Sequence, residues 1–496
     1  MSRVEPTAEK SDLSQWLLNL FRKFEKNRSS LETKWNRNRD AYKGITSGSW
    51  KKKSDEDWQS DAMVPVTKQK VLFAYAVAIG QMLQGGKMPY ALSADPEELM
   101  EYSELSEDEK AAADDHREDM KKLIDTQLDH CKAAQHLAHN VLAGALYGMT
   151  WAKKSIGTRQ AKRYVQASEI VTDEEGNETE QAVWQLEKFE EDTPEWLYVS
   201  NWNMYWDMES EDIQSGLGVI ERETMGKWEL HKMSKENDFF IEDAVKRAID
   251  AAGKGSADGE DGDVSESISS LPPYLRDINH RSNTLRYLEC NVRAPRKMVE
   301  RFEATLERDD EEELISETAE DSESHDLVLI HVCLAGDHIV RFVRMDEDDD
   351  NDDIPYFKVP WEEDVDEAEP NGVADNLESV QRVMNDAIRR FEENKEFASR
   401  LIFGLKRRGI LNKIDGQGFK PGATVDLSED IRNISEAITA FETPDVGDSL
   451  ISLFNLFDKI GDEASNIPKI SQGFDDGANT AYEASIRNQN SGQYMS

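Results

Sequence analysis

Five cations in one short segment are the residues of this chain best suited to bind a phosphate or an acidic partner. Residues 404–422 read GLKRRGILNKIDGQGFKPG and hold one carboxylate, Asp415, against Lys406, Arg407, Arg408, Lys413 and Lys420. Clustered Lys and Arg side chains bind phosphate groups through charge-assisted hydrogen bonds. Alternatively, these cations cap a helix end and pair with acidic neighbours in the same fold or assembly. The residues alone leave both interpretations open.

The chain as a whole is strongly acidic, so the basic segment is a local reversal of charge. Its 496 residues include 59 Lys or Arg and 101 Asp or Glu, for a formal net charge of −42. A surface that wraps nucleic acid needs many clustered cations, so any contact with DNA is expected to be local or weak. The simplest alternative is that the acidity only keeps the protein in solution.

Two near matches to a nucleotide-binding loop lack the residues that would hold phosphate. That loop needs Gly-x-x-x-x-Gly-Lys-Ser/Thr, because backbone N–H groups and one Lys cradle the phosphates. Gly80 and Gly85 have the right spacing, but Gly86 stands where Lys is required. Gly253 and Lys254 lack both the upstream Gly and a following Ser or Thr. Spaced acidic pairs occur by chance in so acidic a chain, so we expect neither an enzyme nor a cofactor.

Candidate metal ligands occur in two places, and neither has the spacing of a known site. His130, Cys131, His136 and His139 are close in sequence, but no second cysteine pair and no HExxH motif accompanies them. We expect these side chains to lie on an ordinary helix face. The acidic run 346–353 lacks the Gly and Glu of an EF-hand loop, which favours a solvated loop and leaves weak divalent binding open.

The chain start and the cysteines indicate synthesis in a reducing compartment. Three cysteines far apart in sequence do not form a disulfide framework. The start MSRVEPTAEKSD has no apolar signal core, and the longest apolar run, residues 71–80, is far below the roughly 20 residues that span a bilayer. We therefore expect a protein that is cytosolic when it is made and has no membrane partner.

Hydrophobic periodicity predicts a mixture of helices and strands before residue 372. Apolar residues at helical spacing predict helices from Leu13 towards Trp35, around 64–83, and through 123–147. A Gly-Asn turn within 173–178 predicts a hairpin. Further strands are predicted around 219–222, 285–293 and 327–344, with a helix beginning near Met225. The length suggests about two to four domains or one elaborate architecture.

Two long helices are predicted on either side of the basic segment. The first, near residues 373–403, has a mainly apolar stripe and Gly404 as its expected stop. The stripe consists of Leu377, Val380, Met384, Ala387, Ile388, Phe391, Ala398 and Leu401. The second, near 444–466, begins after Thr443 and Pro444. Its apolar face consists of Leu450, Leu453, Phe454, Phe457 and Ile460. Helices this long are expected to pack along their whole length.

Several short motifs follow one another in a fixed order along the chain. The run IPYFKVPW and a Gly precede a helix with the pattern Leu-x-x-x-Gln-x-x-x-Asn, formed by Leu377, Gln381 and Asn385. A Pro-Gly pair (Pro421-Gly422), a second long helix and a Thr-Ala pair (Thr480-Ala481) follow. Together with the aromatic segment 198–230, this order resembles the portal proteins of tailed bacteriophages, most closely those of short-tailed phages. The resemblance covers most of residues 137–490.

The resemblance implies an α+β portal fold with a wing, a two-helix stem, a small clip and a tunnel loop. Its divisions would be 1–372 for N-terminal helices and wing, 373–403 for the first stem helix, 404–443 for the clip, 444–467 for the second stem helix, and 468–496 for the tunnel loop and the start of a further helix. Many portal proteins continue into a longer helix and a crown, so we expect the crown to be absent here or to lie beyond Ser496.

The same resemblance implies a homo-oligomeric ring, a dodecamer, at the portal vertex of the capsid in the virion, assembled in the host cytoplasm. Double-stranded DNA would pass through its channel during packaging and ejection. The expected partners are the terminase large subunit, the major capsid and scaffold proteins, and a head-tail adaptor. A predominantly acidic wall would repel phosphate, so DNA could slide without sticking.

Two sets of residues would then act in the channel. The five cations of 404–422 would contact DNA or a docked partner from the clip. The tunnel-loop candidates are Ser471, Gln472, Gly473, Phe474, Gly477 and Asn479, whose glycines allow backbone mobility. An ordinary turn explains that loop equally well. The main alternative function is a different structural ring or scaffold protein that uses the same helical pair and conducts no DNA.

Overall fold

The computed structural model shows helices and strands mixed along the chain, which confirms the predicted α+β class. It describes residues 12–46, 50, 60–83, 88–90, 102, 106–172, 178–210, 212–237, 239–253, 284–306, 326–345, 353–363, 369–399, 402–405, 438–441 and 447–465. The clip cations and the tunnel-loop candidates lie outside these residues, and so do Thr443 and Pro444.

Helices and strands alternate in blocks. The helices are α1 (Asp12–Lys43), α2 (Val66–Met82), α3 (Glu107–His130), α4 (Ala133–Tyr147), α5 (Lys227–Glu236), α6 (Glu242–Gly253), α7 (Arg296–Leu306), α8 (Val373–Asn376), α9 (Glu378–Ser399) and α10 (Gly447–Ala464). The strands are β1 (Met149–Thr172), β2 (Glu178–Val199), β3 (Met204–Trp206), β4 (Gly218–Gly226), β5 (Thr284–Pro295), β6 (Leu327–Ala335), β7 (His338–Arg344), β8 (Tyr356–Pro360), β9 (Ile402–Leu405) and β10 (Ile438–Phe441).

The chain divides into two compact units. The first comprises Met1–Lys34, Ile79–Gly144 and Gly148–Asn371, and the second comprises Trp35–Ala78, Ala145–Tyr147 and Gly372–Ser496. The first unit holds two sheets, with the strand orders β3-β4-β5-β6-β7 and β2-β1-β8. The second holds the helix pair α9 and α10 and the two-stranded sheet of β9 and β10.

The five-stranded sheet of the first unit is antiparallel and has a hydrophobic core on its helical side. Leu17, Phe21 and Phe24 of α1 contact Ile220, Val292 and Ile330 of the strands, and all six are buried. Their spacing of three and four residues along α1 puts them on one face of the helix. This arrangement explains why the periodicity beginning at Leu13 predicts the helix correctly.

Arg28 of α1 is almost fully buried and holds the turn before β3. Its guanidinium donates to the carbonyl oxygens of Asn201, at 3.2 Å, and Trp202, at 3.3 Å, and it lies 3.8 Å from the centre of the Tyr205 ring. It also forms an ion pair with Glu32 one helical turn away. A planar, permanently charged donor suits a site with several fixed acceptors.

Strands β1 and β2 form one long antiparallel hairpin. The residues are paired from Trp151 opposite Val199 to Thr172 opposite Glu178. At about 3.3 Å per residue, a hairpin of this length extends roughly 70 Å. β8 pairs with the base of β1, with Lys153 opposite Tyr356. The hairpin predicted from the turn at 173–178 is therefore present, and it is much longer than an average pair of strands.

Three predicted helix boundaries are wrong, and two of them give way to strand pairing. The helix predicted for 373–403 is interrupted at Leu377 and ends at Ser399. Gly404, its expected stop, lies in β9 opposite Thr439. The helix expected to begin near Met225 begins at Lys227, because Met225 pairs with Leu285 in the sheet. Hydrogen bonds to a distant strand replace the local helical bonds in the last two cases.

Candidate functional site: an antiparallel helix pair

The two long helices predicted around the basic segment pack against each other in the second unit. Gly461, late in α10, lies against Val380 and Leu377 at the start of α9, whereas Leu450, early in α10, faces Phe391 late in α9. This register makes the pair antiparallel. A methyl group added at Gly461 would lie 3.2 Å from Val380 Cγ1, so glycine permits the close approach of the two helices.

The two helices are closely packed at one end and separated by an apolar groove at the other. At the closed end, Val380 and Met384 are buried against Val66, Phe457 and Ile460. The groove at the other end is lined by Ala387, Ile388, Phe391, Leu450, Ile451 and Phe454. The predicted apolar stripe of α9 is therefore confirmed as a contact surface at its first turns, and it continues into an open groove.

Helix α10 has apolar residues on more than the face that contacts α9. Leu453 is 37% exposed and Leu456 54%, whereas Phe454, Phe457 and Ile460 face the α9 side. The apolar side of α10 is therefore wider than the part that α9 covers, and an apolar stripe on a helix normally faces other protein. Exposed apolar side chains in such a row are typical of surfaces that contact another protein.

Gln381 and Asn385 of the sequence motif form a buried ladder of hydrogen bonds. Gln381 Oε1 accepts from Thr67 N at 3.1 Å and from Thr67 Oγ1 at 3.0 Å, and its Nε2 donates to Asn385 Oδ1 at 2.9 Å. Asn385 Oδ1 also accepts from Val64 N at 3.0 Å. The two amides thus satisfy backbone groups at the start of α2 that its own helix leaves unpaired. Leu377, the third motif residue, is fully buried beside them.

Gly372 and Asp375 fix the beginning of the helix pair. The Asp375 carboxylate accepts from Gly372 N at 2.9 Å, which caps the first turn of α8. It also accepts from Asn38 Nδ2 at 2.8 Å, and Arg37 Nη1 lies 2.6 Å from a Glu378 oxygen. The Gly that precedes the predicted helix is therefore part of a polar network that connects the end of α1 with the start of α9.

Two further cations anchor the pair. Lys70 of α2 forms a buried ion pair with Asp462 of α10. Arg389 of α9 donates to the carbonyl oxygens of Ala62 and Trp50, each at 3.0 Å. A buried charge needs its partner, because removing one member of the pair leaves the other uncompensated. The start of α2 and both long helices therefore form one connected arrangement.

Strands β9 and β10 close the segment that carries the basic residues. They are antiparallel, with Leu405 opposite Ile438. The pairing brings together the two ends of residues 406–437, which lie outside the described residues along with the side chains of both strands. The segment is thus an insertion between two packed helices, closed at its base, and its first residues are the cations Lys406, Arg407 and Arg408.

A second polar cluster, which the sequence does not predict, lies in the first unit. Glu221 and Glu289 stand directly opposite each other on β4 and β5, and Lys153 Nζ lies 3.0 Å from the first and 2.7 Å from the second. Tyr356 OH donates to Glu221 at 2.7 Å. Like charges opposite each other repel, and Lys153 removes that repulsion. Only the sheet register shows that these residues meet.

The ionisation of this cluster follows from its burial and its charges. Burial alone would raise the pKa of Glu289, but the charge of Lys153 holds that pKa below its ordinary value. Burial would lower the pKa of Lys153, but Glu289 and Glu221 raise it instead. Both members of the pair are therefore charged at neutral pH, and each depends on the other.

His331 on β6 lies beside this cluster and is kept neutral. Burial lowers its pKa to about 4, with Arg341 and Lys153 acting in the same direction against Glu289. Its Nδ1 is 2.9 Å from Asn291 Oδ1, an acceptor, so Nδ1 carries the proton. Nε2 is then free to accept from the thiol of Cys333 at 3.6 Å.

The depressed pKa of His331 predicts a loss of stability in acid. His331 binds a proton near pH 6.5 in the unfolded chain and only near pH 4 in the folded chain. Its contribution to stability is therefore fully present above pH 6.5 and is lost as the pH falls through 4. As the pH falls from 8 to 5, we expect His331 to lower the free energy of unfolding by about 2 kcal/mol. Urea denaturation of the wild type and of His331→Gln checks this. The difference in free energy of unfolding between the two proteins should change over that pH range. An equal dependence on pH in both proteins would contradict the prediction.

Two of the histidines that the sequence offered as candidate metal ligands pack against β2 instead. His136 Nδ1 accepts from Tyr198 N at 3.2 Å, and the His139 ring packs edge-on against Tyr198. Among the residues that the structure describes, no three His, Cys, Asp or Glu side chains are grouped so that they could hold a metal ion. In the same part of the chain, no helix is long and apolar enough to cross a bilayer.

The sequence predicted neither the cluster around Lys153 nor the hydrogen bonds of Arg28 to the turn before β3. A weak signal was present, since Glu221 follows the apolar run GVI and Arg28 lies on the apolar side of α1. Charged residues at positions that periodicity assigns to a core are candidates for buried ion pairs. Comparison with protein-family models and with the curated proteins finds no match to this chain.

Proposed function

We propose that this protein is the subunit of a head-to-tail connector ring of a tailed bacteriophage, through which double-stranded DNA enters and leaves the capsid. The observation that supports this most is the antiparallel pair of α9 and α10, joined by a closed insertion that begins with three cations. That connection has the order expected of a stem, a clip and a second stem helix.

The motif that suggested the resemblance has a structural role within the same pair. Leu377, Gln381 and Asn385 are all buried, and the two amides fix the start of α2 against α9. A spacing of four residues puts the three side chains on one helix face. The motif therefore serves the packing of this helix, which supports a similarity in architecture to portal proteins.

The exposed apolar face of α10 supports assembly into a ring. Leu453 and Leu456 would be covered if the helix pairs of neighbouring copies lay side by side around an axis. A ring built from identical copies uses such a head-to-tail contact, in which different faces of the subunit meet. Partners at the capsid vertex would be the terminase, the capsid and scaffold proteins, and the tail adaptor.

Electron microscopy of the purified protein tests the assembly. Averaged images should show a ring on the order of twelve subunits with a central hole. A monodisperse monomer at all concentrations would exclude the proposal. A ring that forms normally but conducts no DNA in a packaging reaction would instead favour the alternative, a structural ring or scaffold protein without a channel function.

Neutralising the first cations of the insertion should separate DNA transport from assembly. We expect Lys406→Gln/Arg407→Gln/Arg408→Gln to package at least about tenfold less DNA, because contacts with phosphate or with the packaging motor lose their charge. Ring formation, seen by electron microscopy, should not change. A matched control is Lys235→Gln/Lys297→Gln/Arg301→Gln, which removes three exposed cations from α5 and α7. Packaging at the wild-type level by the first variant would show that these cations have no such role.

A further inference from the structure

One face of the hairpin of β1 and β2, here called the open hairpin face, carries a row of exposed apolar and aromatic side chains. Strand residues alternate between faces, and the register puts Ile156, Lys162 and Tyr164 on the same face as Trp184, Leu186 and Lys188. All six are exposed, with Ile156 73%, Tyr164 71% and Trp184 64% exposed. An apolar and aromatic surface of this kind on an extended arm is typical of a contact with another protein.

Two lysines stand directly opposite each other within that face. Lys162 is paired with Lys188, and the next pair towards the turn is Tyr164 with Leu186. Like charges at directly opposite positions destabilise a strand pair. Both a carboxylate-bearing partner and a partner with apolar side chains would therefore gain from contact with this face, the first by removing the repulsion and the second by covering the aromatic residues.

Helix α3 presents the complementary surface. It has nine carboxylates and four Lys or Arg in 24 residues, and no residue in it is buried. Asp115, Asp119 and Leu123 lie four residues apart on one face, beside Met120, and both apolar side chains are close to half exposed. Helix α3 contacts strand β2 of its own chain, yet none of its residues is buried, so most of its surface is left open to a further partner.

From these two surfaces we propose that the open hairpin face of one copy of the chain docks on helix α3 of a second copy. Lys162 and Lys188 meet the carboxylates around Asp115 and Asp119, and Tyr164, Trp184 and Leu186 cover Met120 and Leu123. The contact joins different faces of the two copies, so it propagates around a closed ring. It rests on the proposed assembly of identical subunits and names an arm-to-helix contact within it.

A nucleic acid is a poorer occupant for this face. Its two lysines are followed along the same face by Asp192, and the sequence that connects the two strands, residues 173–178, reads DEEGNE. A polyanion that followed the hairpin in either direction would meet carboxylates. A protein surface that combines apolar side chains with local negative charge has no such conflict, and the chain itself carries one.

Charge reversal tests the contact in the full-length protein. Lys162→Glu/Lys188→Glu should raise the apparent dissociation constant of the oligomer at least about tenfold, measured by analytical ultracentrifugation and by counting rings in micrographs. Asp115→Lys/Asp119→Lys should do the same. The variant with all four changes should regain assembly, because the charges are complementary again. Lys235→Glu/Lys297→Glu, with the same change in net charge at exposed sites on α5 and α7, should assemble like the wild type.

The outcomes are distinguishable. If the hairpin variant assembles as the wild type does, or if the fourfold variant is no better than either double variant, the docking is wrong while the ring proposal stands. If the hairpin variant forms normal rings and only its affinity for DNA falls, the face binds nucleic acid and the docking is likewise wrong. If the wild-type protein never associates, the ring and the docking both fail.

Discussion

Replacing Lys153 by Met should lower the free energy of unfolding of the first unit by about 3–5 kcal/mol, because it leaves two buried carboxylates without their cation. Glu221 and Glu289 are directly opposite each other, and their side chains are only 5% and 17% exposed. Methionine has nearly the length of lysine, so little packing is lost with the charge. The measurement is urea denaturation at pH 7, followed by circular dichroism.

Two further results would identify charge as the cause. The triple variant Lys153→Met/Glu221→Gln/Glu289→Gln should recover most of the loss, since no unpaired carboxylate remains. The single variant should also regain part of its stability as the pH falls and the carboxylates bind protons. A loss below about 1 kcal/mol for Lys153→Met, or no recovery in the triple variant, would show that the cluster is dispensable.

Replacing Gln381 by Leu should destabilise the second unit by roughly 3 kcal/mol or more. Gln381 is fully buried, and the change leaves the backbone N–H and hydroxyl of Thr67, the carbonyl of Val64 and one bond of Asn385 without their partner. A buried polar group left unpaired costs about 1–3 kcal/mol. The apolar volume of Leu offsets only part of this cost.

Amide hydrogen exchange gives a readout that a general loss of packing would not. The amides of Thr67 and Val64, held by Gln381 and Asn385, should exchange faster in Gln381→Leu than amides in the middle of α9. Arg390→Gln is the matched control, because it changes an exposed side chain on the same helix. It should change stability by no more than about 0.5 kcal/mol. Equal effects of the two variants would contradict the role assigned to the ladder.

Both predictions concern polar groups that hold elements together, and they separate the parts of the proposed subunit. Lys153 acts within the sheets of the first unit, whereas Gln381 acts where α2 meets α9 in the second. If the helix pair is the wall of a channel, Gln381→Leu should reduce ring assembly at temperatures where the first unit is still folded. The two variants therefore test different steps between folding and the proposed function.

The sequence by itself determined the elements whose signals are local. Apolar residues at a spacing of three and four along α1 and α9 predicted helices with one buried face, and Leu377, Val380 and Met384 are buried as the pattern requires. The Gly-Asn pair within residues 173–178 predicted the hairpin, because such a pair between two strand-forming runs favours a tight turn. The excess of carboxylates in the chain and the cluster of cations in residues 404–422 are likewise read directly from the sequence.

The tertiary structure alone decided which distant residues meet. Glu221 is 68 residues from Lys153 and Gln381 is 314 residues from Thr67, and no periodicity relates such positions. Gly404 looked like a helix stop because its neighbours in sequence suggest one, yet pairing with residues near 439 makes it part of a strand. Local patterns record the free energy of short segments in water. The partners of a buried charge, and the strand that a segment joins, depend on contacts that form only when the whole chain has folded.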